Sequence, residues 1–436
     1  MNTERRNGIV QSKQIDQLLS RRNLSVKTKP FDITKRQVYE AYKCVKANKG
    51  GSGIDGQTLY AFETVLENNL YQLWNHLASG SYFPSAVKRV DIPKGSGGTR
   101  PLGIPTVSDR IAQMVVKHSI ELSLESKFHP DSFGYRPYKS AHMALSVVKQ
   151  RNWKRPWVLE LDIKSFFDVI NHKLLLKAVD KHITEAWQKL YIERWLSASV
   201  LHPDGSLEAR TSGTPQGGVI SPLLANLYLH YVFDVWIERH WHGIQFVRYA
   251  DDIVCHCRSQ SEAIGLKNRI EQRFNACDLE LHPEKTRIAY CKSQFKREQH
   301  EVNSFDFLGY RFQPRSACNR EGERILSFQP AISPSSEKRI RQALKKALPS
   351  IQNGKIGDVA EIMNKKAQGW ISYYGKFGIK RLKQFLFKLN WVIIQWIRKK
   401  YKRLRALPRT ISWLKQLRRT NPSLFVHWQF MDQRVG

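Results

Sequence analysis

The apolar positions of this chain follow two different rhythms on either side of Pro334. Before it, short apolar runs and helical stretches alternate. Phe246-Val247-Arg248-Tyr249 and Ile253-Val254-Cys255-His256-Cys257 read as strands on either side of a polar break, Ala250-Asp251-Asp252, the pattern of a tight hairpin. Trp157 to Ile163 reads as a strand closing on Asp162. Val87 to Ile92 and Arg100 to Ile104 read as a ribbon turned at Gly95 to Gly98, and Phe305 to Phe312 as an aromatic strand. Helical spacing marks 35–48, through Val38, Ala41, Tyr42 and Val45, and also 107–127 and 262–276. After Pro334 the rhythm is helical throughout. One stripe runs through Ile340, Ala343, Leu344, Ala347 and Leu348, and a second through Val359, Ile362, Met363, Trp370 and Tyr374. A third runs through Leu382, Phe385, Leu386, Leu389, Ile393 and Trp396, so the three predict a helical bundle.

Charge changes the picture more than size does. The 436 residues are 41% hydrophobic and 11% aromatic, enough for several folded units with real cores. Lys and Arg number 71 against 38 Asp and Glu, a net charge of +33, which suits a polyanion, nucleic acid before all others. No run reaches the roughly 18 apolar residues of a membrane span. No acid occurs between Glu361 and Asp432. Within that span Arg398, Lys399, Lys400, Lys402, Arg403, Arg405 and Arg409 make a single-sign face with interleaved aromatics. A solvated face normally mixes signs, so these seven are candidate nucleic-acid contacts. The six cysteines include no C-x-x-C pair, which speaks against structural zinc and fits free thiols in a reducing cytoplasm. The N-terminal MNTERRNGIVQSKQ lacks the apolar core of a signal peptide.

Four stretches carry candidate chemistry, each with a plainer reading beside it. Asp251 and Asp252 repel each other at the hairpin tip, a penalty that a divalent cation removes by taking carboxylate oxygens as ligands; the plainer reading is a solvated turn. Asp162, at its strand end, completes such a site or caps the next helix. Lys94 and Arg100, with Lys88 and Arg89, make the ribbon a phosphate clamp or a charged edge that resists aggregation. Pro215-Gln216-Gly217-Gly218 exposes backbone to a flat ligand, with Gln216 able to donate and accept, or is an ordinary loop. Gly51 to Gly56 matches G-x-G-x-x-G, but no strand precedes it, so it reads as a loop.

Taken together these motifs resemble the reverse transcriptases encoded by bacterial group II introns. The resemblance rests on Tyr249-Ala250-Asp251-Asp252, on Asp162 with Phe166-Phe167-Asp168, and on Thr214-Pro215-Gln216-Gly217. Ile92-Pro93-Lys94, Arg100-Pro101-Leu102-Gly103, Gly53-Ile54-Asp55-Gly56 and Phe307-Leu308-Gly309-Tyr310 extend it, and Asn364, Gly369-Trp370 and Tyr373-Tyr374 are similar to the family's maturase region. It implies an α+β right-hand polymerase. A basic tail (1–34) would precede fingers (35–156) and a palm with the catalytic hairpin (157–316). A helical thumb or maturase domain (317–400) and a basic DNA-binding segment (401–436) would follow. It implies RNA-directed DNA polymerisation with two Mg²⁺ ions on Asp162, Asp251 and Asp252, the first two bridging. Lys94 and Arg100 would clamp the triphosphate of a dNTP and Gln216 would line its pocket. Phe167 would exclude a 2′ hydroxyl, or else only pack the core. The implied partners are the group II intron RNA, whose splicing the family assists, and the target DNA. Many relatives carry a C-terminal HNH nuclease with cysteine pairs; none is present up to Gly436, so second-strand cleavage is not expected. A free-standing defence or diversification enzyme would share the catalytic motifs, and a splicing factor on a decayed polymerase would not need the acids intact. Tyr249-Ala250, where RNA-templated RNA polymerases begin the hairpin with glycine, speaks against that class.

Overall fold

The computed structural model describes residues 29–93, 98–293, 298–318, 322–347 and 354–432. Lys94, the tip of the ribbon at 95–97 and most of the basic N-terminal tail lie outside the described residues. The chain forms two compact units. One takes Met1–Pro137, Ile163–His242 and Ile270–Leu281; the other takes Tyr138–Asp162, Gly243–Arg269 and His282–Gly436.

The first unit is built around the helix Val107–Glu125, capped by the Thr106 side chain, which accepts from Asp109 N–H. Its apolar face, Ile111, Ala112, Val115, Val116 and Leu124, is buried. Polar residues of the same helix are buried as well, because they fasten loops. Arg110 donates to the carbonyls of Lys49 (3.1 Å) and Gly51 (2.9 Å), which pins the glycine-rich loop. Gln113 accepts from Val219 N–H at 2.7 Å and so holds the loop that leads into the helix Ser221–Leu229. The basic ribbon forms as expected: Val87–Pro93 pairs antiparallel with Thr99–Ile104, from Lys88 opposite Ile104 to Pro93 opposite Thr99. Two short strands, Val200–Leu201 and Leu207–Glu208, complete a four-stranded sheet.

The second unit carries a four-stranded sheet in the order Gln245–Tyr249, Asp252–Cys257, Trp157–Leu161, Arg287–Tyr290. Its middle is dry. Val158, Leu159, Val254 and Cys255 have no accessible surface, the pattern of strands covered on both faces. The helix Ala141–Lys154 packs on the hairpin, and Arg151 donates to the Phe246 carbonyl at 2.7 Å. A three-stranded sheet follows, with Tyr310–Cys318 between Arg324–Ile332 and Phe305–Phe307. Here the expected single aromatic strand is two. Leu308 (φ 50°) and Gly309 (φ 78°) turn the chain between them, a two-residue loop with both residues left-handed.

The three helical stripes are the helices Pro334–Ala347, Ile356–Tyr374 and Ile379–Lys400. The maturase-like residues hold this region together. Tyr310 and Tyr373 each donate a hydroxyl to the other's neighbourhood, Tyr310 to the Tyr373 carbonyl and Tyr373 to the Leu308 carbonyl. Asn364 donates to Leu424 O (2.8 Å) and accepts from Val426 N–H (2.9 Å). The basic stretch 398–419 is not one helix. It breaks at Tyr401, makes a 3₁₀ turn over Lys402–Leu404 and resumes at Leu407–Thr420, where Pro408 occupies the first turn, the helical position proline tolerates. No helix among the described residues is long and apolar enough to cross a membrane.

Candidate active site

The hairpin turns on two residues. Tyr249 pairs with Asp252, so only Ala250 and Asp251 form the loop, and the second strand begins at Asp252, one residue earlier than its apolar run. Ala250 has φ 58°, a left-handed conformation that costs an L-residue roughly 1–2 kcal/mol. A buried arginine supports it: Arg248, with no accessible surface, donates to the Ala250 carbonyl at 3.3 Å. Such local strain persists where its surroundings over-determine it, commonly at functional sites.

Strand register then gathers the acids. Trp157–Leu161 pairs with the hairpin's second strand as far as Leu161 opposite Ile253. Asp162 follows Leu161 and Asp252 precedes Ile253, so the two acids leave the ladder at the same end. Asp162 is half-buried, and its carbonyl accepts from His282 N–H at 2.8 Å. Asp252 keeps exposed surface at the tip. The protein packed around it, followed by repulsion from Asp251 and Asp162, nonetheless pushes its carboxyl up to about 7. Lys285 opposes that shift, and its Nζ lies 3.0 Å from Asp162 Oδ2. Two residues along the same strand, burial raises Glu160 to about 8; Arg287 opposes this, while Asp306, Asp252 and Asp162 add to it. This end of the sheet therefore favours the protonated forms of Asp252 and Glu160, and the nearby cations only partly offset the cost of ionising them.

Among the described residues, no set of three or more His, Cys, Asp or Glu side chains is drawn together closely enough to hold a metal ion by itself. The donor chemistry still suits a divalent cation. Carboxylates are hard oxygen ligands, Asp162 and Asp251 already raise the pKa of Asp252, and an ammonium group rests against Asp162.

The first unit collects most of the other candidates. Gly217 approaches the ribbon so closely that a Cβ there would lie 2.1 Å from the Gly103 carbonyl oxygen. That contact brings Arg100 to Gln216, whose Oε1 accepts from Arg100 Nε at 2.5 Å. The Gln216 amide in turn reaches Asp168, at 3.4 Å from Oδ2. Burial raises the Asp168 carboxyl pKa, against the opposing pull of Gln216, Arg210, Arg89 and Arg100. Phe167 is 7% exposed and packs edge-on against Phe166, ring centroids 5.4 Å apart. Of the basic C-terminal residues, Lys399, Lys402, Arg403, Arg405 and Arg409 are exposed. Arg398 donates to the Arg405 carbonyl at 2.7 Å, and Lys400 donates to the Gly354 carbonyl and lies over the Trp396 ring. Asp168, Arg210, Lys285 and Glu160 were missed as site residues by sequence reasoning. The adjacency of Asp168 to Phe167 was the only available signal.

Residues 92–312 match the family described as reverse transcriptase (RNA-dependent DNA polymerase), and residues 337–414 match the maturase-specific domain of group II introns. The chain belongs to the group II intron reverse transcriptase/maturase family. Protein YkfC of Escherichia coli (strain K12) is 34% identical over 333 residues, 67% of this chain and 84% of that one. The group II intron-encoded protein LtrA of Lactococcus lactis subsp. cremoris is 38% identical over 195 residues, 44% of this chain and 32% of LtrA. The putative COX1/OXI3 intron 1 protein of Saccharomyces cerevisiae is 30% identical over 198 residues, 45% of this chain and 24% of that one. This reverse transcriptase thus spans most of YkfC but a third or less of those two intron proteins. A telomerase structure from Candida albicans covers 87% of this chain and is itself covered to 69%, at 11% identity and a TM-score of 0.45, too distant to carry weight. As a family member the chain is an RNA-directed DNA polymerase with a maturase domain.

Proposed function

We propose that this reverse transcriptase copies a group II intron RNA into DNA at the intron's target site, and that it binds the same RNA to assist splicing. The observation that carries the polymerase half is the electrostatic coupling of Asp162, Asp251 and Asp252 at one end of a rigid sheet. Asp162, Asp251 and Asp252 are the residues that would hold two Mg²⁺ ions, which when bound make the 3′ hydroxyl nucleophilic and the pyrophosphate a tolerable leaving group. Asp162 and Asp251 would be the ligands shared by the two ions, and Lys285, paired with Asp162, compensates its charge.

Nucleotide recognition falls to the first unit. The Arg100 guanidinium, aimed by Gln216, offers its remaining donors to the triphosphate of an incoming dNTP, a role that the family resemblance also gives to Lys94. Gln216, tied in turn toward Asp168, sets the floor of the pocket, and the buried Phe167 ring restricts space at the sugar. In the sequential division the ribbon belongs to the fingers, the carboxylate sheet to the palm and the helices after Pro334 to the thumb. The exposed Lys399, Lys402, Arg403, Arg405 and Arg409, with Arg398 and Lys400, serve DNA phosphates. The maturase match at 337–414 favours an intron enzyme over a free-standing defence or diversification reverse transcriptase. Asp251→Ala should abolish primer extension on an RNA template while RNA binding persists; undiminished extension by that variant would overturn the assignment.

A further inference from the structure

The first unit contains a cleft of about 340 Å³ that none of these roles uses. One wall is the helix His172–His182, which turns Leu174, Lys177, Ala178 and Lys181 toward it, an i, i+3, i+4, i+7 face that alternates apolar and cationic side chains. The opposite wall is Tyr228, Tyr231 and Val232, where the helix Ser221–Leu229 passes into a π-helical turn over His230–Asp234. Such turns are rare and cluster at functional sites. Arg273 braces this turn, donating from Nε to Val232 O (3.1 Å) and from one Nη to Tyr231 O (3.3 Å). These two bonds commit part of a five-donor fork whose owner also lines the cleft.

Tyr231 is held rather than loose. The His182 ring stacks on it at 5.7 Å and 29°, and His182 Nε2 hydrogen-bonds its hydroxyl. Lys181 Nζ lies 4.9 Å from the ring centroid. The cleft thus offers a fixed aromatic surface, three cationic side chains and no acidic one among its lining residues. Its volume falls at the small end of ligand pockets, roughly 300–1,000 Å³, which suits one planar, singly phosphorylated unit rather than a peptide or a duplex. Unpaired bases of structured RNA are recognised in this way, stacked on an aromatic ring with the flanking phosphates on cations.

We propose that this cleft captures a single unpaired nucleotide of RNA, its base stacked on Tyr231 and its flanking phosphate on Lys177, Lys181 and Arg273. None of the cleft's lining residues belongs to the carboxylate sheet or to the basic C-terminal stretch. A 20-nucleotide single-stranded RNA carrying one central 4-thiouridine is irradiated with the full-length protein, and the adducts are mapped by mass spectrometry. The expected adduct lies in the peptide that contains Tyr231; its absence from the wild-type protein overturns the proposal without any variant. Lys177→Glu/Lys181→Glu should weaken binding of this RNA about tenfold more than Lys43→Glu/Lys49→Glu, a control with the same change in charge, and should flatten the salt dependence more than that control does. Equal losses in the two variants, with both melting as the wild type does, would reduce the cleft to general charge and refute it. Tyr231→Ala should weaken binding by about tenfold, as expected for loss of one stacked base, and wild-type affinity there would refute the stacking.

Discussion

Lowering the pH from 8 to 6 should loosen the hold of this enzyme on Mg²⁺, and the reason lies in one carboxyl. Asp252 is pushed up to about 7, against an ordinary 3.8, first by the protein packed around it and then by Asp251 and Asp162. A carboxylate ligand must be ionised to bind metal, so the proton and the ion compete for it. With a pKa of about 7, Asp252 is ionised in roughly nine of ten molecules at pH 8 and roughly one of ten at pH 6. The Mg²⁺ concentration for half-maximal activity should therefore rise about tenfold across that interval if this one proton controls it. The rate itself is a poor readout, because deprotonation of the primer hydroxyl also follows pH; the half-saturation point isolates the ligand. The assay is primer extension on an RNA template, titrated with Mg²⁺ at pH 6, 7 and 8 under constant ionic strength. Asp252→Asn should remove the pH dependence of the half-saturation point along with much of the activity. The same half-saturation at pH 6 and pH 8 in the wild type would refute the reasoning. For the metal-free protein the stability effect has the opposite sign. A carboxyl raised in the folded state keeps a proton that the unfolded chain has released, so this group's contribution falls as the pH rises from about 4 through about 7.

Lys285→Met removes the cation 3.0 Å from Asp162 that also restrains Asp252, so the pH midpoint of the Mg²⁺ dependence should move upward; a downward shift would remove Lys285 from the site. Gly217→Ala places a methyl group 2.1 Å from the Gly103 carbonyl oxygen and should separate the ribbon from the loop. The expected result is a dNTP KM raised at least about tenfold, from the lost placement of bound groups, with RNA affinity intact; a wild-type KM would show that Arg100 and Gln216 do not act together. Asn364→Ala strands the Leu424 carbonyl and the Val426 amide and should cost about 1–3 kcal/mol, seen as a lower melting midpoint and faster proteolysis near residue 424. An unchanged midpoint would make those bonds dispensable.

Much of the fold could be read along the chain, because period and punctuation are local properties. The hairpin at Ala250-Asp251, the ribbon around Arg100 and the helices after Pro334 all formed where their apolar spacing placed them. Two local errors had local causes. Leu308 took a left-handed φ that leucine rarely adopts, so a turn was hidden inside an aromatic run. Tyr401 and the 3₁₀ turn after it interrupted a basic stretch whose charge pattern looked continuous. Partnership was not legible at all. Arg100 meets Gln216 across 116 positions, and Lys285 meets Asp162 across 123. Strand register and loop contact decide such meetings, and neither leaves a mark in the composition of either segment. The motif residues could thus be named from the sequence, while the groups that set their charge could not.

The carboxylates also show why the site belongs on a sheet. Like charges brought together near a protein surface repel, by about 4 kcal/mol at 4 Å with an effective dielectric of 20, and nothing in Asp162 or Asp252 itself would hold them at one end of a sheet. What opposes the repulsion is the interior of the ladder behind them. Val158, Leu159 and Val254 are fully buried there, and each such side chain contributes roughly 1.5–3 kcal/mol. A few of them outweigh the repulsion, while Arg248 braces the turn that carries Asp251. The stability of the dry strands thereby holds carboxyls at one end of the sheet in surroundings where ionising them is costly. On the proposed reading, a divalent cation would relieve that cost while drawing the carboxylates closer than they now lie, since among the described residues no three of them are gathered tightly enough to hold an ion.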